Sequence, residues 1–383
     1  MRRNDAQSLP KGWKIKKLGE ITDIKTGKSN TIDADVNGKY VFFDRSKKIK
    51  KSNRFLFDCE ALIVPGEGAQ FYPRYYSGKF DLHQRVYSIS NFHSCANIRF
   101  VEYFLIFNHK YFERVAVGAT VKSLRLRHFT EIEIPLSPLP EQKRIVSILD
   151  RAFEAIDKAK ANAEQNLQNA KKLFESVLDE ILYDKKWKIK KLCEVCKKVE
   201  YGTSSKAQPQ GKLPVLRMGN IQNGRIVWDK LVYSNNKVDN EKYLLKHNDV
   251  LFNRTNSPEL VGKTAIYKSE MPAIFAGYLI RIHRKEELLD ADYLNYYLNS
   301  SLAFDYGKTV VISSVNQANI NGTKLKSYPL PLPTLEEQKN IVKKLDSLST
   351  ETKKLESIYQ QKISNLEELK KSILQKAFAG ELI

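Results

Sequence analysis

The sequence predicts an α/β (α+β) fold built twice: two copies of a mixed domain, separated by two long antiparallel coiled-coil helices, in a pseudo-twofold internal repeat. Three observations carry this expectation. Residues 142–182 lie without a gap on residues 338–378. A second, shorter repeat opens each mixed domain. The excess positive charge falls in the two mixed domains and is absent from the helices.

Both long repeats are free of Gly and Pro, and each reads as one helix. At ~1.5 Å per residue each spans ~60 Å. Spacings of three and four give an apolar stripe at Ile145, Leu149, Ala152, Ile156, Ala159, Ala163, Ala170, Leu173 and Val177. The second copy gives Ile341, Leu345, Leu348, Leu355, Tyr359, Leu366, Leu369 and Ile373. Asn166 and Lys362 are polar at the same register. Pro140 suits a first helical turn, Thr334 with Glu337 forms a capping box, and Gly380 is placed to end the second helix.

The organisation is therefore a first mixed domain over 1–139, a helix over 140–184, a second mixed domain over 185–330 and a helix over 331–383. Of the net charge of +20, residues 1–139 carry +10 (24 Lys and Arg against 14 Asp and Glu) and residues 185–330 carry +11 (24 against 13). The helices carry −2 (7 against 9) and +1 (9 against 8). Two equally basic blocks on neutral spacers point to two surfaces that each meet a polyanion, with nucleic acid the leading candidate.

At 383 residues and 42% hydrophobic content the chain has enough apolar surface for real cores. No run approaches the ~20 apolar residues of a membrane span, and the first residues do not form a signal-peptide core. The expectation is a soluble, cytoplasmic protein that meets no membrane. Four irregularly spaced cysteines agree with a reducing compartment.

The shorter repeat places Trp13 to Leu18 on Trp187 to Leu192, a shift of 174, with Gly27 and Gly202 following. In the first domain, 61–64 and 85–89 read as strands and 99–112 as an aromatic-rich helix. In the second, 249–252, 265–267 and 277–282 read as strands and 291–298 as a helix. Each domain closes with a polar loop and a proline-bearing strand, at 134–136 and 328–330. A shared frame with diverged loops predicts one architecture and two recognition chemistries.

The loop after strand 249–252 offers Asn253, Arg254, Thr255, Asn256 and Ser257, with Lys263 behind. These side chains suit base edges and phosphates, although an Asn/Ser/Pro turn that merely reverses the chain has the same composition. Its counterpart supplies Gln70, Arg74 and Tyr76, the tyrosines serving as readers or as packing. Thr203, Ser204, Ser205 and Lys206, with Arg217 and Asn220, read as a clamp on a nucleic-acid backbone, because Walker spacing is missing. A third cluster is Lys122, Ser123 and Arg125, with Ser314, Asn316 and Gln317 as counterparts; contact surface and solvated loop fit it equally.

Cys193 and Cys196 form a lone CxxC whose repeat partners are Gly19 and Thr22, so no zinc site is expected. The six histidines are scattered, and no nucleophile elbow, dinucleotide fingerprint or paired-carboxylate site emerges. The expectation is a reader of nucleic acid with no catalytic residues and no bound cofactor or metal.

The order domain, helix, domain, helix is similar to the specificity (S) subunit of type I restriction-modification enzymes. The helix entries Pro138, Pro140, Glu141, Gln142 and Pro331, Pro333, Glu337, Gln338 share that likeness. So do the ending from Gln375 to Leu382 and the loop from Asp249 to Lys263. The resemblance covers nearly the whole chain. It implies two target-recognition domains held apart by the helical pair and reading double-stranded DNA as a split, asymmetric target. It implies that two methyltransferase subunits bind the helical region, for which Gln142, Leu149, Gln338 and Leu345 are the expected contacts. It further implies that those subunits bring S-adenosylmethionine, and that two restriction subunits join them with ATP and Mg. Adenine methyltransferases need an Asn/Asp-Pro-Pro-aromatic motif, and this chain has no Pro-Pro pair.

Two rival readings use the same residues: a coiled-coil scaffold whose basic domains are incidental, and an RNA-binding protein whose tyrosines stack on unpaired bases. Salt-dependent binding to duplex DNA tests the first, and competition between duplex DNA and RNA tests the second. On the DNA reading, two readers on one face of a duplex lie about one turn, ~34 Å, apart, so the spacer sets the gap between half-sites. Inserting four residues after both Ala163 and Tyr359 is expected to lengthen the preferred gap and leave both half-sites unchanged, as measured by site selection. An unchanged gap would remove the ruler.

Overall fold

The two ends of each mixed domain are sewn together by an antiparallel ribbon. Lys14–Lys17 pairs with Glu133–Leu136, and Lys188–Lys191 pairs with Pro329–Leu332. Prolines enter these ribbons because a two-stranded edge leaves half of its backbone groups outside the ladder. In both copies a one-turn helix follows, Leu18–Ile21 and Leu192–Val195, with Glu20 and Glu194 accepting from the backbone N–H of Lys17 and Lys191. The computed structural model describes residues 9–184, 186–258, 260–314 and 317–382.

The chain divides into two units, Met1–Glu164 with Gln361–Ile383, and Gln165–Gln360. In the first unit a six-stranded sheet runs in the spatial order Asp23–Thr26, Val86–Ser90, Phe57–Pro65, Arg74–Leu82, Tyr40–Phe43, Lys50–Ser52. Neighbours are antiparallel except Tyr40–Phe43 beside Arg74–Leu82, which are parallel. Alternation sends Leu62 and Val64 to the helix-covered core, and Ala61 and Ile63 to a smaller cluster with Phe43 and Phe80.

The second unit repeats this order with one interruption. Cys196–Tyr201, Leu279–Arg284, Val250–Asn253 and Thr264–Ile266 are consecutive in one sheet, which the hairpin Ile221–Gln222 and Gly224–Ile226 extends. Ile274–Phe275, Leu213–Leu216 and Val232–Ser234 form a separate sheet. That sheet keeps one parallel and one antiparallel pair, as in the last three strands of the first domain. The long strand Arg74–Leu82 is thus two short strands in the second domain.

The sequence reading of 99–112 as one helix is corrected. The segment is Ile98–Phe107 followed by His109–Val115, broken at Asn108, whose N–H donates to the Phe104 carbonyl.

The long helices are Leu139–Leu182 and Leu335–Phe378, 44 residues each. Thr334 and Glu337 make the reciprocal cap, and Gly380 adopts φ +75° just past the second helix. In the first unit the helices are antiparallel, since Asp157 pairs with Lys370 (2.8 Å) and Lys160 with Glu367 (2.7 Å). The buried stripe keeps Ile145, Leu149, Ile156, Ala163, Ala170 and Leu345 of the expected one and departs from it elsewhere. Leu173, Leu355 and Leu369 are exposed, while Phe174 packs partly buried and Leu178, Thr352, Ile363 and Leu374 are buried. A count at 3.5 drifts ~20° per heptad against a helix of 3.6, so a strict heptad leaves the contact face within a few turns. Asn166 and Lys362, polar at the expected seam, are both exposed.

Each helix is tied to its own domain by a glutamine in its first turn. The Gln142 amide accepts from Asn97 N–H (2.8 Å) and donates to the carbonyls of Cys95 (2.8 Å) and Ser137 (2.7 Å). Gln338 accepts from Asp290 N–H (2.8 Å) and donates to the carbonyls of Leu288 (2.9 Å) and Pro333 (3.0 Å). Asn97 and Asp290 are the N-caps of Ile98–Phe107 and Ala291–Leu298. Eight residues on, Asp150 and Asp346 accept from the hydroxyls of Tyr103 and Tyr296. Burial first, then these carboxylates, pushes both phenols well above the usual tyrosine pKa.

Gln142, Leu149, Gln338 and Leu345 are all 0% exposed. The expectation that they contact a partner is therefore corrected: the glutamines are internal ties and the leucines core residues of their own units. Gln142→Ala or Gln338→Ala strands one N–H and two carbonyls in a buried site. Each is expected to destabilise its unit by about 2–4 kcal/mol, read from urea denaturation, with Gln338→Glu worse because a carboxylate then faces two carbonyls.

Candidate nucleic-acid interface

In each domain one tight turn gathers the loops that the sequence marks as polar. In the first it is the turn 83–85, leading into Val86–Ser90. In the second it is 276–278, leading into Leu279–Arg284.

Seven backbone hydrogen bonds around these turns correspond one to one. His83 N–H donates to Phe43 O as Ala276 N–H does to Leu216 O, and Gln84 to Ser29 O as Gly277 to Thr203 O. Val86 donates to His83 O as Leu279 to Ala276 O, and Ser29 to Leu82 O as Thr203 to Phe275 O. Gly27 donates to Val86 O as Gly202 to Leu279 O. Gly66 donates to Arg85 O (2.8 Å) as Arg254 to Tyr278 O (3.0 Å), and Leu124 to Gly66 O (2.7 Å) as Ile320 to Arg254 O (2.9 Å). A Cβ on Gly27 would stand 1.7 Å from Leu82 O, and one on Gly202 2.2 Å from Phe275 O. The repeated glycine is thus a close strand crossing, which explains the Gly before Thr203 without any phosphate cradle.

In the first domain Gln70, Lys122 and Arg125 are exposed and Ser123 is half-buried. Lys122 and Ser123 are held beside Glu67 and Gly68, whose N–H donates to Lys122 O (3.0 Å). Arg125 N–H donates to His128 Nδ1. Arg74 and Tyr76 turn elsewhere. The Arg74 guanidinium donates to the carbonyls of Ser46 (2.7 Å) and Lys47 (3.3 Å), and burial lowers its pKa. Tyr76 packs edge-on against Phe43 and Phe80. These two are ties and packing rather than exposed readers.

In the second domain the turn brings together 203–206, 253–257 and 317–319. Thr203 and Ser205 donate to Asp239 Oδ2 at 2.5 and 2.6 Å, and these hydroxyls lower the Asp239 pKa. Ser204 and Lys206 are exposed. The Arg254 guanidinium lies 4.8 Å from the Tyr201 ring centroid and donates to Gly277 O (3.3 Å). Thr255 is buried and accepts from Asn319 Nδ2 (2.8 Å), while Asn256 accepts from Ser257 N–H. Asn253 is fully buried, and neither of its amide atoms has a partner among the described residues. Half-buried Lys263 receives Asn253 N–H on its carbonyl.

Arg217 is exposed and donates to Lys230 O, whereas Asn220 spends its amide on Arg217 N–H and the carbonyls of Val227 and Asp229. Asn220 is therefore corrected from clamp to loop anchor, because its polar atoms face inward. Gln317 is exposed on strand Gln317–Asn319. Ser314 lies on strand Ile312–Ser314, its side chain outside the described residues, as is Asn316 altogether.

The sequence reading missed Tyr201, Tyr278, Gln84, Arg85, Arg45 and Asp239. For Tyr201 the signal was its place beside the repeated glycine. The others follow only from the turn. Buried His83 accepts from Arg85 N–H through Nδ1 (3.0 Å), and burial lowers its pKa, which favours the neutral ring that keeps this acceptor. Among the described residues no three His, Cys, Asp or Glu gather as metal ligands, and no helix is long and apolar enough to cross a membrane. Cys193 is exposed and Cys196 buried, both as free thiols. In the second domain the arrangement sets the Arg254 guanidinium over the Tyr201 ring and leaves Ser204 and Lys206 exposed, which suits polar edges and anions.

The sequence profile described as the type I restriction modification DNA specificity domain matches residues 10–167 and 184–365. The chain is 28% identical over 286 residues to the type I restriction enzyme EcoKI specificity subunit of Escherichia coli (strain K12), covering 70% of this chain and 61% of that relative. It is 25% identical over 411 residues to the EcoDI specificity subunit of Escherichia coli, covering 98% and 90%. A structure from work on complex assembly and conformational transition of the type I R-M system superposes with TM-score 0.73 at 19% identity, covering 98% of this chain and 100% of that one. The HsdS subunit from Thermoanaerobacter tengcongensis gives TM-score 0.58 at 19% identity, covering 98% and 99%. With its profile matched twice, the chain belongs to the family of type I restriction-modification DNA specificity domains.

Proposed function

We propose that this chain is the non-catalytic specificity subunit of a type I restriction-modification complex. Each mixed domain reads one half of a bipartite, asymmetric duplex DNA target. The observation that carries this reading is the repeated turn: one backbone hydrogen-bond frame, present twice, bears unlike side chains. A common frame docks both domains on DNA in the same manner, and different side chains read different letters.

On this reading the chemistry lies on partners, two methyltransferase subunits carrying S-adenosylmethionine and two restriction subunits using ATP and Mg. They dock on the outer faces of the long helices, since the inner residues are occupied by this chain. The reading also makes the protein cytoplasmic.

The methylome of cells producing the chain with its cognate methyltransferase is expected to show an asymmetric motif of two short words and a fixed gap. A single uninterrupted motif would overturn the reading. Within that assay, Arg254→Ala is expected to relax one word only. Asn220→Ala is expected to cost about 1–3 kcal/mol of stability while leaving both words intact. A uniform loss over all sites would make Arg254 a phosphate contact.

A further inference from the structure

The matched frames place an arginine on opposite sides of the same backbone hydrogen bond. In the second domain the bond runs from Arg254 N–H to Tyr278 O, and the guanidinium comes from the donor residue. In the first it runs from Gly66 N–H to Arg85 O, and the guanidinium comes from the acceptor residue. Gly66 has no room for a side chain, since a Cβ would lie 2.7 Å from Arg85 O and 2.8 Å from the Tyr87 ring. The cation that the second domain places at its strand end is supplied in the first domain by the turn.

We propose that Arg85, with Gln84 beside it, reads bases in the half-site of the first domain, as the counterpart of Arg254 and Tyr278. This rests on the DNA-reading function proposed above and names its specificity residues. The backbone of Arg85 is fixed from both sides, by His83 Nδ1 on its N–H and by Gly66 N–H on its carbonyl. Its side chain is 59% exposed and leaves this fixed base beside Glu67, which is 16% exposed. The Glu67 carboxylate lies 2.9 Å from Arg45 and 3.4 Å from Arg85, so one acid orients two guanidinium groups and the pair keeps a net positive charge. The long contact to Arg85 uses one nitrogen of a five-donor fork. A fork so presented matches the O6 and N7 acceptors of guanine in the major groove. Gln84 donates from its amide nitrogen to Asn30 Oδ1, which sets the direction of its side chain.

The test uses the full chain with its methyltransferase, comparing wild type with Arg85→Ala, Arg85→Lys, Gln84→Ala and Tyr278→Ala by methylome sequencing. Arg85→Ala and Arg85→Lys are expected to lose about tenfold or more in discrimination at one position of the first word, with the second word and the gap unchanged. Gln84→Ala is expected to act on the same word, and Tyr278→Ala on the other. Arg85→Lys keeps the charge and the exposed stem, so it decides the matter if Arg85→Ala fails to fold. Full methylation with both words intact in Arg85→Lys and Gln84→Ala would overturn the proposal, as would an even loss over all sites. A wild-type motif without two words would overturn the broader function instead, so the two failures are distinguishable.

Discussion

A buried amide in the first turn of each long helix is the constraint from which the rest of each unit follows. The side chains of Gln142 and Gln338 each close three hydrogen bonds to backbone groups of the preceding domain. Those groups belong to a loop, to the N-cap of the domain's aromatic helix and to the chain just ahead of the long helix. One side chain thereby fixes the exit of the proline-bearing strand and the seat of the aromatic helix together. The Tyr103–Asp150 and Tyr296–Asp346 contacts, two turns further on, hold the helix flat against the same element. Leu149 and Leu345, one residue ahead of those aspartates, are buried in the cores of their own units. The direction in which a helix leaves its domain is set by directed bonds, which apolar packing alone does not supply.

Fixing the frame frees the surface. The seven matched bonds around each turn use only main-chain groups, so almost any side chain can stand on them. Gly27, Gly66 and Gly202 are exceptions, where the frame closes too tightly for a Cβ. This division explains how a duplicated domain keeps its topology while His83, Gln84 and Arg85 stand where the other copy has Ala276, Gly277 and Tyr278. It also explains where the second domain tolerates cost. Asn253, whose buried amide has no partner among the described residues, corresponds to Pro65, which has no polar side chain to satisfy. A stranded amide costs about 1–3 kcal/mol, which the surrounding sheet must offset.

The long helices, their caps and the duplication were legible because they depend on local spacing and on an ungapped shift of 196 between Gln142 and Gln338. The turn was not, because the offset changes along the domain. It is 174 from Ser29 to Thr203, 188 from Gly66 to Arg254, 193 from Arg85 to Tyr278 and 196 from Leu124 to Ile320. Insertions such as the hairpin at 221–226 account for that drift, and only hydrogen bonds between distant segments restore the correspondence. Composition likewise hid which polar residues face inward. Asn220 and Arg74 look like contact residues by type, yet both bind nearby carbonyls. Gln142 and Gln338, expected from the family resemblance as docking residues, are likewise internal ties.

Charge and side-chain identity do different work on this scaffold. The pairs joining the helices in the first unit, Asp157–Lys370 and Lys160–Glu367, are largely exposed and contribute little beyond orientation. The helices therefore rest on their apolar stripe, and the basic residues concentrated in the mixed domains remain to act on a polyanion. At +10 and +11 the two domains attract it almost equally. Such attraction is insensitive to sequence and falls with salt, so under the proposed DNA-reading function it would act on both domains without ranking one half-site above the other. The proposed function then leaves selection to the few groups standing on the turns. Because each turn is locked into its own domain by main-chain hydrogen bonds, a side-chain change on one need not disturb the other.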